Sequence, residues 1–199
     1  MKVAVLACGP SLVKHYDTRE AFDLVIAVNS AGWLYACDWM AFTDKHILAG
    51  DHVRPRAGYL TNKGWRTKVE ALGLRWEPLP IYDYRLKNLT PAMAELCIGQ
   101  GMTECGFTFP NALFFAGKHG ATDLHVFGFD CSMTEEDVAG VKGYHTRKRW
   151  ATELPWIREV LKPIERVTLR CDAADNVKRW VLGKVGCTVY SLFPVESET

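Results

Sequence analysis

Five short apolar runs, most of them separated by helix-length stretches, constrain this chain more than any other feature. They are Val3–Ala7, Leu24–Val28, Trp39–Thr43, Leu124–Phe129 and Val167–Leu169. Each is short and rich in Val, Ile, Leu or aromatic side chains, as parallel strands covered on both faces are. Gly58–Thr61 and Thr188–Leu192 are weaker strand candidates. The stretches between them predict helices. Ser30–Cys37 follows the second run, and Trp65–Leu72 is stopped by Gly73. Thr108–His119 has Thr108 as its N-cap, Pro110 in its first turn and Gly120 to close it. A helix from about Thr152 to Leu161 carries Pro155 in its first turn and stops at Pro163, and Ala173–Leu182 is closed by Gly183. Glu77–Gly106 reads as loops with one short helix around Pro91–Ile98. Strands alternating with helices predict an α/β fold: one Rossmann-like three-layer domain over residues 1–199, with a mostly parallel sheet.

Composition narrows the function classes. The chain has 24 Lys and Arg against 23 Asp and Glu, so its formal charge of +1 disfavours nucleic acid or an anionic membrane as a partner attracted by overall charge. No run approaches the ~20 apolar residues of a membrane span. The N-terminal run Met1–Leu6 reads as a first strand rather than a signal peptide. Seven cysteines, an odd number with no Cys-x-x-Cys pair, exclude a complete disulfide framework and point to reduced thiols and a cytoplasmic location. The six histidines are scattered and no His-Glu-x-x-His spacing occurs, so no structural zinc site is expected. The tryptophans, including Trp33, Trp39, Trp150, Trp156 and Trp180, read as core residues.

In an open parallel sheet, ligands bind beyond the carboxyl ends of the strands. Polar groups recur there. Cys8-Gly9-Pro10-Ser11-Leu12 follows the first run, where Gly9 permits close backbone approach and Pro10 and Ser11 open a helical turn. Asn29 and Ser30 follow the second, suited to contacting a ligand or capping the next helix. Asp44-Lys45-His46 follows the third and Asp130-Cys131-Ser132 the fourth. Neither Gly-x-Gly-x-x-Gly nor a Walker loop is present, which disfavours a dinucleotide dehydrogenase or a P-loop kinase. The loop Gly140–Trp150 carries Lys142, Tyr144, His145, Arg147, Lys148 and Arg149. Its three successive cations, just before or within the first turn of a helix, oppose the helix dipole, a penalty that a bound anion would offset. His145 is the candidate acid or base, and Tyr144, Arg147 and Arg149 are candidate phosphate ligands.

The stretch Val3-Ala4-Val5-Leu6-Ala7-Cys8-Gly9-Pro10-Ser11-Leu12 resembles the Gly-Pro-Ser-Leu opening of bacterial sialyltransferases of family 42. It is equally similar to that of the 6-hydroxymethylpterin diphosphokinase-like and flagellin-accessory (Maf-type) proteins and their phage relatives. The resemblance continues through Asp23–Ala31 and Ala41–Asp44, then resumes at Thr108-Phe109-Pro110-Asn111-Ala112 and Val126-Phe127-Gly128-Phe129-Asp130, about half the chain in all. It implies a nucleotide-binding scaffold, with Gly9, Pro10, Ser11, Asn29 and Thr108 holding the nucleotide.

Three functional expectations follow. In the first, the protein is a glycosyltransferase that uses a nucleotide-sugar donor. Asp44 and Asp130 orient donor, acceptor or metal, His145 acts as base, and Arg147–Arg149 neutralise the leaving phosphate. In the second, it is a pyrophosphokinase dependent on ATP and magnesium, with Asp44 and Asp130 as metal ligands and a small alcohol as substrate. In the third, a non-catalytic phage binding or assembly protein has kept the scaffold. The acceptor, the nucleotide base, the metal dependence and the oligomeric state are open at this level.

Overall fold

The computed structural model describes residues 1–48, 57–81, 89–101, 105–131, 136–141 and 146–193. Within them are seven strands: β1 (Lys2–Leu6), β2 (Leu24–Val28), β3 (Trp39–Ala41), β4 (Gly58–Thr61), β5 (Trp76–Pro78), β6 (Asp123–Phe127) and β7 (Arg166–Arg170). They form one sheet in the order β5-β4-β3-β2-β1-β6-β7, and every pairing is parallel. The α-helices are α1 (Leu12–His15), α2 (Ala31–Leu34), α3 (Lys63–Ala71), α4 (Pro91–Gly99), α5 (Thr108–Lys118), α6 (Arg147–Leu161) and α7 (Asp175–Val181). The architecture is a single Rossmann-like α/β sandwich.

The apolar runs make this sheet because both of its faces are covered. Successive strand residues point to opposite faces. Val3, Val5, Ile26, Val28, Leu124 and Val126 belong to one core with Leu113 and Ala116 of α5 and Leu154 and Ile157 of α6. Their neighbours Ala4, Leu6, Ala27 and Phe127 pack on the opposite side with Leu12 of α1 and Ala31 of α2. Farther along that side, Met40 and Tyr59 pack with Val69 of α3. The tryptophans Trp39, Trp150, Trp156 and Trp180 are buried as expected. Trp156 is fully enclosed, and its indole N–H donates to Gln100 Oε1 at 3.0 Å, tying the end of α4 to α6. All seven cysteines are free. Among the described residues, no helix is long and apolar enough to cross a membrane.

Four elements depart from the sequence expectation. Trp76–Pro78 is an edge strand whose last two residues fall in the segment read as loops. Val189–Leu192 is a 3-10 turn, not a strand, held by Ser191 Oγ donating to the carbonyl of Thr188 at 2.7 Å. Thr108 is the first residue of α5 rather than its cap; the N-cap is Phe107, which offers no side-chain acceptor. Helix α6 starts at Arg147, five residues before the expected start, capped by Thr146 Oγ1 accepting from the Arg149 amide. Pro155 therefore stands in the helix interior, where its missing N–H leaves the Ala151 carbonyl without its usual partner.

The chain lays down β1 to β5 in one direction, then crosses back through α5 to place β6 on the other side of β1. Strand order therefore reverses between β1 and β6. In open α/β sheets a crevice forms at the carboxyl ends of the strands at such a reversal.

Candidate functional site

Beyond β1 and β6 the two exit loops lie backbone against backbone. The amide of Ala7 donates to Phe127 O at 2.8 Å, and that of Gly9 to Gly128 O at 2.8 Å. A Cβ on Gly9 would fall 2.3 Å from Gly128 O. Gly128 has φ +67°, and a Cβ there would fall 2.6 Å from Ala7 O. Both positions require glycine, for space at the first and for space and backbone conformation at the second.

Asp130 locks the crossing. Its carboxylate accepts from the Ser11 amide at 2.8 Å, from the Ser11 hydroxyl, and from the Asp172 amide at 3.0 Å. Asp172 in turn meets His15 Nε2 at 2.8 Å, and its carboxyl is held below the usual carboxylate range by His15 and Lys14. The hydroxyl of Ser11, 4% exposed, is thus engaged with Asp130 rather than aimed at a ligand. Ser30 is fully buried, and its hydroxyl meets Asp137, whose other oxygen accepts from the Ala139 and Val141 amides at 2.9 Å each. Ser11, Ser30, Asp130 and Asp137 therefore build the walls of the crevice.

The crevice itself holds about 590 Å³, its open mouth included, and Gly9, Pro10, Asn29, Thr108, Phe129 and Glu153 line it. Phe109 and Phe129 stack at 5.3 Å between ring centroids, and Trp150 meets Phe129 edge-on at 6.1 Å. A second groove continues from it past Thr43, Asp44, Phe107, Lys148 and Arg149, and shares Asn29, Thr108 and Arg149 with the first. Asn29 has φ +47° and Cys131 φ +49°. Two non-glycine residues in the left-handed region on one crevice are unusual, since such strain concentrates at functional sites. The Asn29 side-chain oxygen is buried and accepts no hydrogen bond among the described residues. Thr108 Oγ1 lies 3.1 Å from Thr43 Oγ1, joining the ends of β3 and α5.

The structure thus brings Gly9, Pro10, Asn29 and Thr108 to one crevice with Arg149, and puts Asp44 on the adjoining groove. Arg147 contributes its backbone to the first turn of α6. Tyr144 and His145 lie outside the described residues. Burial pushes the Cys8 thiol up to about 11, which disfavours the thiolate, and its Sγ donates to Val28 O at 2.9 Å. Among the described residues, no three His, Cys, Asp or Glu side chains come together to hold an ion.

Glu153 is the crevice residue that sequence reasoning missed. It is 2% exposed, and its Oε2 lies 3.3 Å from Arg149 Nε, one helical turn earlier. Burial raises its proton affinity above the ordinary carboxyl value of 4.5, and the Arg149 charge only partly opposes this. The sign of the consequence is definite. A folded-state affinity raised above that of the unfolded chain favours folding at low pH and loses that benefit as pH rises through the folded value. Glu153→Gln, which carries no charge to bury, is therefore expected to raise the melting temperature at pH 7–8 and to change it little at pH 4. Melting curves across that range check it; an equal shift at both pH values would show that Glu153 is not the buried acid described.

No family model matches the chain, and no curated protein or solved structure matches it significantly. The class is thus defined by the fold and the crevice themselves: a parallel α/β domain whose loops converge at the reversal of strand order.

Proposed function

We propose that the protein is a nucleotide-dependent transferase that moves a sugar from a nucleotide-activated donor to an acceptor hydroxyl. One observation carries the reading: Asn29, with its left-handed backbone and its buried side-chain oxygen, unpartnered among the described residues, on the crevice where such folds bind nucleotides. That oxygen is an acceptor waiting for a donor, as a ribose hydroxyl or a base N–H would supply. Gly9, Pro10 and Thr108 form the surrounding wall, and the Phe109–Phe129 pair offers an apolar floor. Arg149 and Lys148, on the adjoining groove, are suited to the phosphates, with Arg147 beside them in sequence. Tyr144 and His145, the phosphate ligand and the acid or base expected from the sequence, lie outside the described residues, and no role in this reading rests on them. Seven free thiols suit a reducing compartment, so a cytoplasmic location belongs to the proposal.

The magnesium-dependent pyrophosphokinase reading is less well served. It needs Asp130 as a metal ligand, and that carboxylate already accepts three hydrogen bonds from Ser11 and Asp172. Asp44, exposed on the adjoining groove, is the remaining carboxylate. No step of the proposed reaction is assigned to a metal.

Asn29→Gly tests the assignment because it relieves the left-handed backbone while deleting the acceptor. The expected result is a melting temperature equal to or above that of the wild type, with nucleotide affinity weakened about tenfold, ~1.4 kcal/mol. Titration calorimetry measures the affinity, and an unchanged dissociation constant would remove Asn29 from the site.

A further inference from the structure

The groups inside the crevice are mostly engaged in holding its walls, and Glu153 stands apart from them. It projects from the second turn of α6 into the same space as Asn29, Thr108 and Phe129, and among the described residues its charge partner is Arg149. Packing alone does not account for an acid there, since an apolar residue at a site 2% exposed would avoid the cost of dehydrating a carboxylate. Among the described residues, the ionisable groups facing it from the neighbouring elements are the thiols of Cys105, ahead of α5, and Cys131, after β6, with Glu136 on the same crevice, while Arg149 faces it from its own helix. Asp130 and Asp137, on the same crevice, are tied to Ser11 and Ser30.

We propose that Glu153 is the proton acceptor of the transfer reaction and that Arg149 is coupled to it. This rests on the transferase reading given above. In the reaction, the acceptor hydroxyl gives its proton to a Glu153 oxygen. The hydroxyl oxygen forms a bond to the anomeric carbon of the donor. The bond from that carbon to the phosphate oxygen breaks, and its electron pair stays with the leaving nucleotide. Protonation of Glu153 removes the anion that Arg149 faces in the free protein. The guanidinium is then available, at that moment, to the negative charge appearing on the leaving phosphate. Glu153 returns its proton to solvent when product leaves. A buried carboxyl with raised proton affinity suits this role, because a base works best when its affinity lies close to the working pH.

The test uses nucleotide-sugar hydrolysis, in which water takes the place of the acceptor, measured from pH 4 to 9 on wild type, Glu153→Gln and His145→Ala. The donor is the one whose nucleotide stabilises the wild type against heat. Gln keeps the size of the side chain and removes the base. The expected result for Glu153→Gln is a rate lower by about 10²–10³-fold, with the acidic limb of the pH profile lost and the nucleotide-induced thermal shift retained. His145→Ala should keep that limb. Glu153→Gln within about threefold of wild type, or a limb lost in His145→Ala alone, overturns the proposal and leaves the transferase reading standing. Wild type that binds nucleotide but releases no sugar at any pH also counts against Glu153, since a competent base there would activate water. Wild type that neither binds nor hydrolyses any donor overturns the transferase reading itself, and this proposal with it.

Discussion

Gly9→Ala is expected to cost about 3 kcal/mol of stability or more. The added carbon would lie 2.3 Å from Gly128 O and 2.4 Å from Asp130 Oδ2. The first of these atoms is backbone and is already bonded to the Gly9 amide, so no side-chain rotation relieves the contact. Separating the loops would break the pairing that extends β1 and β6 beyond their ends. Against a typical total stability of roughly 5–15 kcal/mol, that loss is a large fraction. Gly99→Ala serves as the control. Gly99 ends α4, and nothing lies within 4 Å of where its Cβ would be. That substitution is expected to change stability by less than about 1 kcal/mol. Urea midpoints at constant slope measure both. Equal midpoints for the two variants would mean that the loops do not meet as described.

Asp130→Ala is expected to destabilise by about 3 kcal/mol. The carboxylate accepts from two backbone amides and one hydroxyl, belonging to segments 119 and 42 residues away in sequence. Hydrogen bonds to a charged acceptor are each worth roughly 1.5–3 kcal/mol, and removing the acceptor leaves part-buried donors unpaired. Asp130→Asn keeps one acceptor oxygen but turns an amide toward the Ser11 donors, so about half the loss is expected. The outcome also decides what Asp130 is for. A wall-building carboxylate lowers stability first and weakens ligand binding as a consequence. A residue whose only task is to orient donor or metal would leave the urea midpoint unchanged while turnover fell. The structure favours the former.

Much of the fold was legible because each central strand is a short apolar run covered on both faces. Leu24–Val28 and Gly58–Thr61 match to the residue. Strand β5 was not, since Glu77 and Pro78 fall in a stretch that reads as loop: an edge strand tolerates the charge and the proline that a central one would not. Thr188–Leu192 misled in the opposite way, as its β-branched and aromatic residues suit a strand, yet it forms a turn that buries Leu192 against the main core.

The crevice was half legible. Gly9, Pro10, Asn29 and Thr108 stand at strand and helix ends, where local sequence marks them, and they meet on one crevice. The engagement of Ser11 with Asp130 and of Ser30 with Asp137 spans 119 and 107 residues, and no local pattern carries such pairings. Glu153 was hidden by the start of α6. With the helix begun at about Thr152, Arg149 falls in a loop. With the start at Arg147, the two residues lie one turn apart on one face, and the acid and its cation become visible together. The signal was Thr146, a good cap, three residues before Arg149.

The central claim is that this crevice binds a nucleotide, and a thermal-shift panel on the wild-type protein tests it most directly. The ligands are cytidine, uridine, guanosine and adenosine nucleotides at millimolar concentration, each with and without magnesium. A ligand at about 100 times its dissociation constant stabilises by ~2.7 kcal/mol, a rise of roughly 5–10 °C for a domain of this size. The account predicts a shift of that order, selective for one base and present without magnesium. A flat panel would contradict it and leave a scaffold that serves some purpose other than nucleotide chemistry.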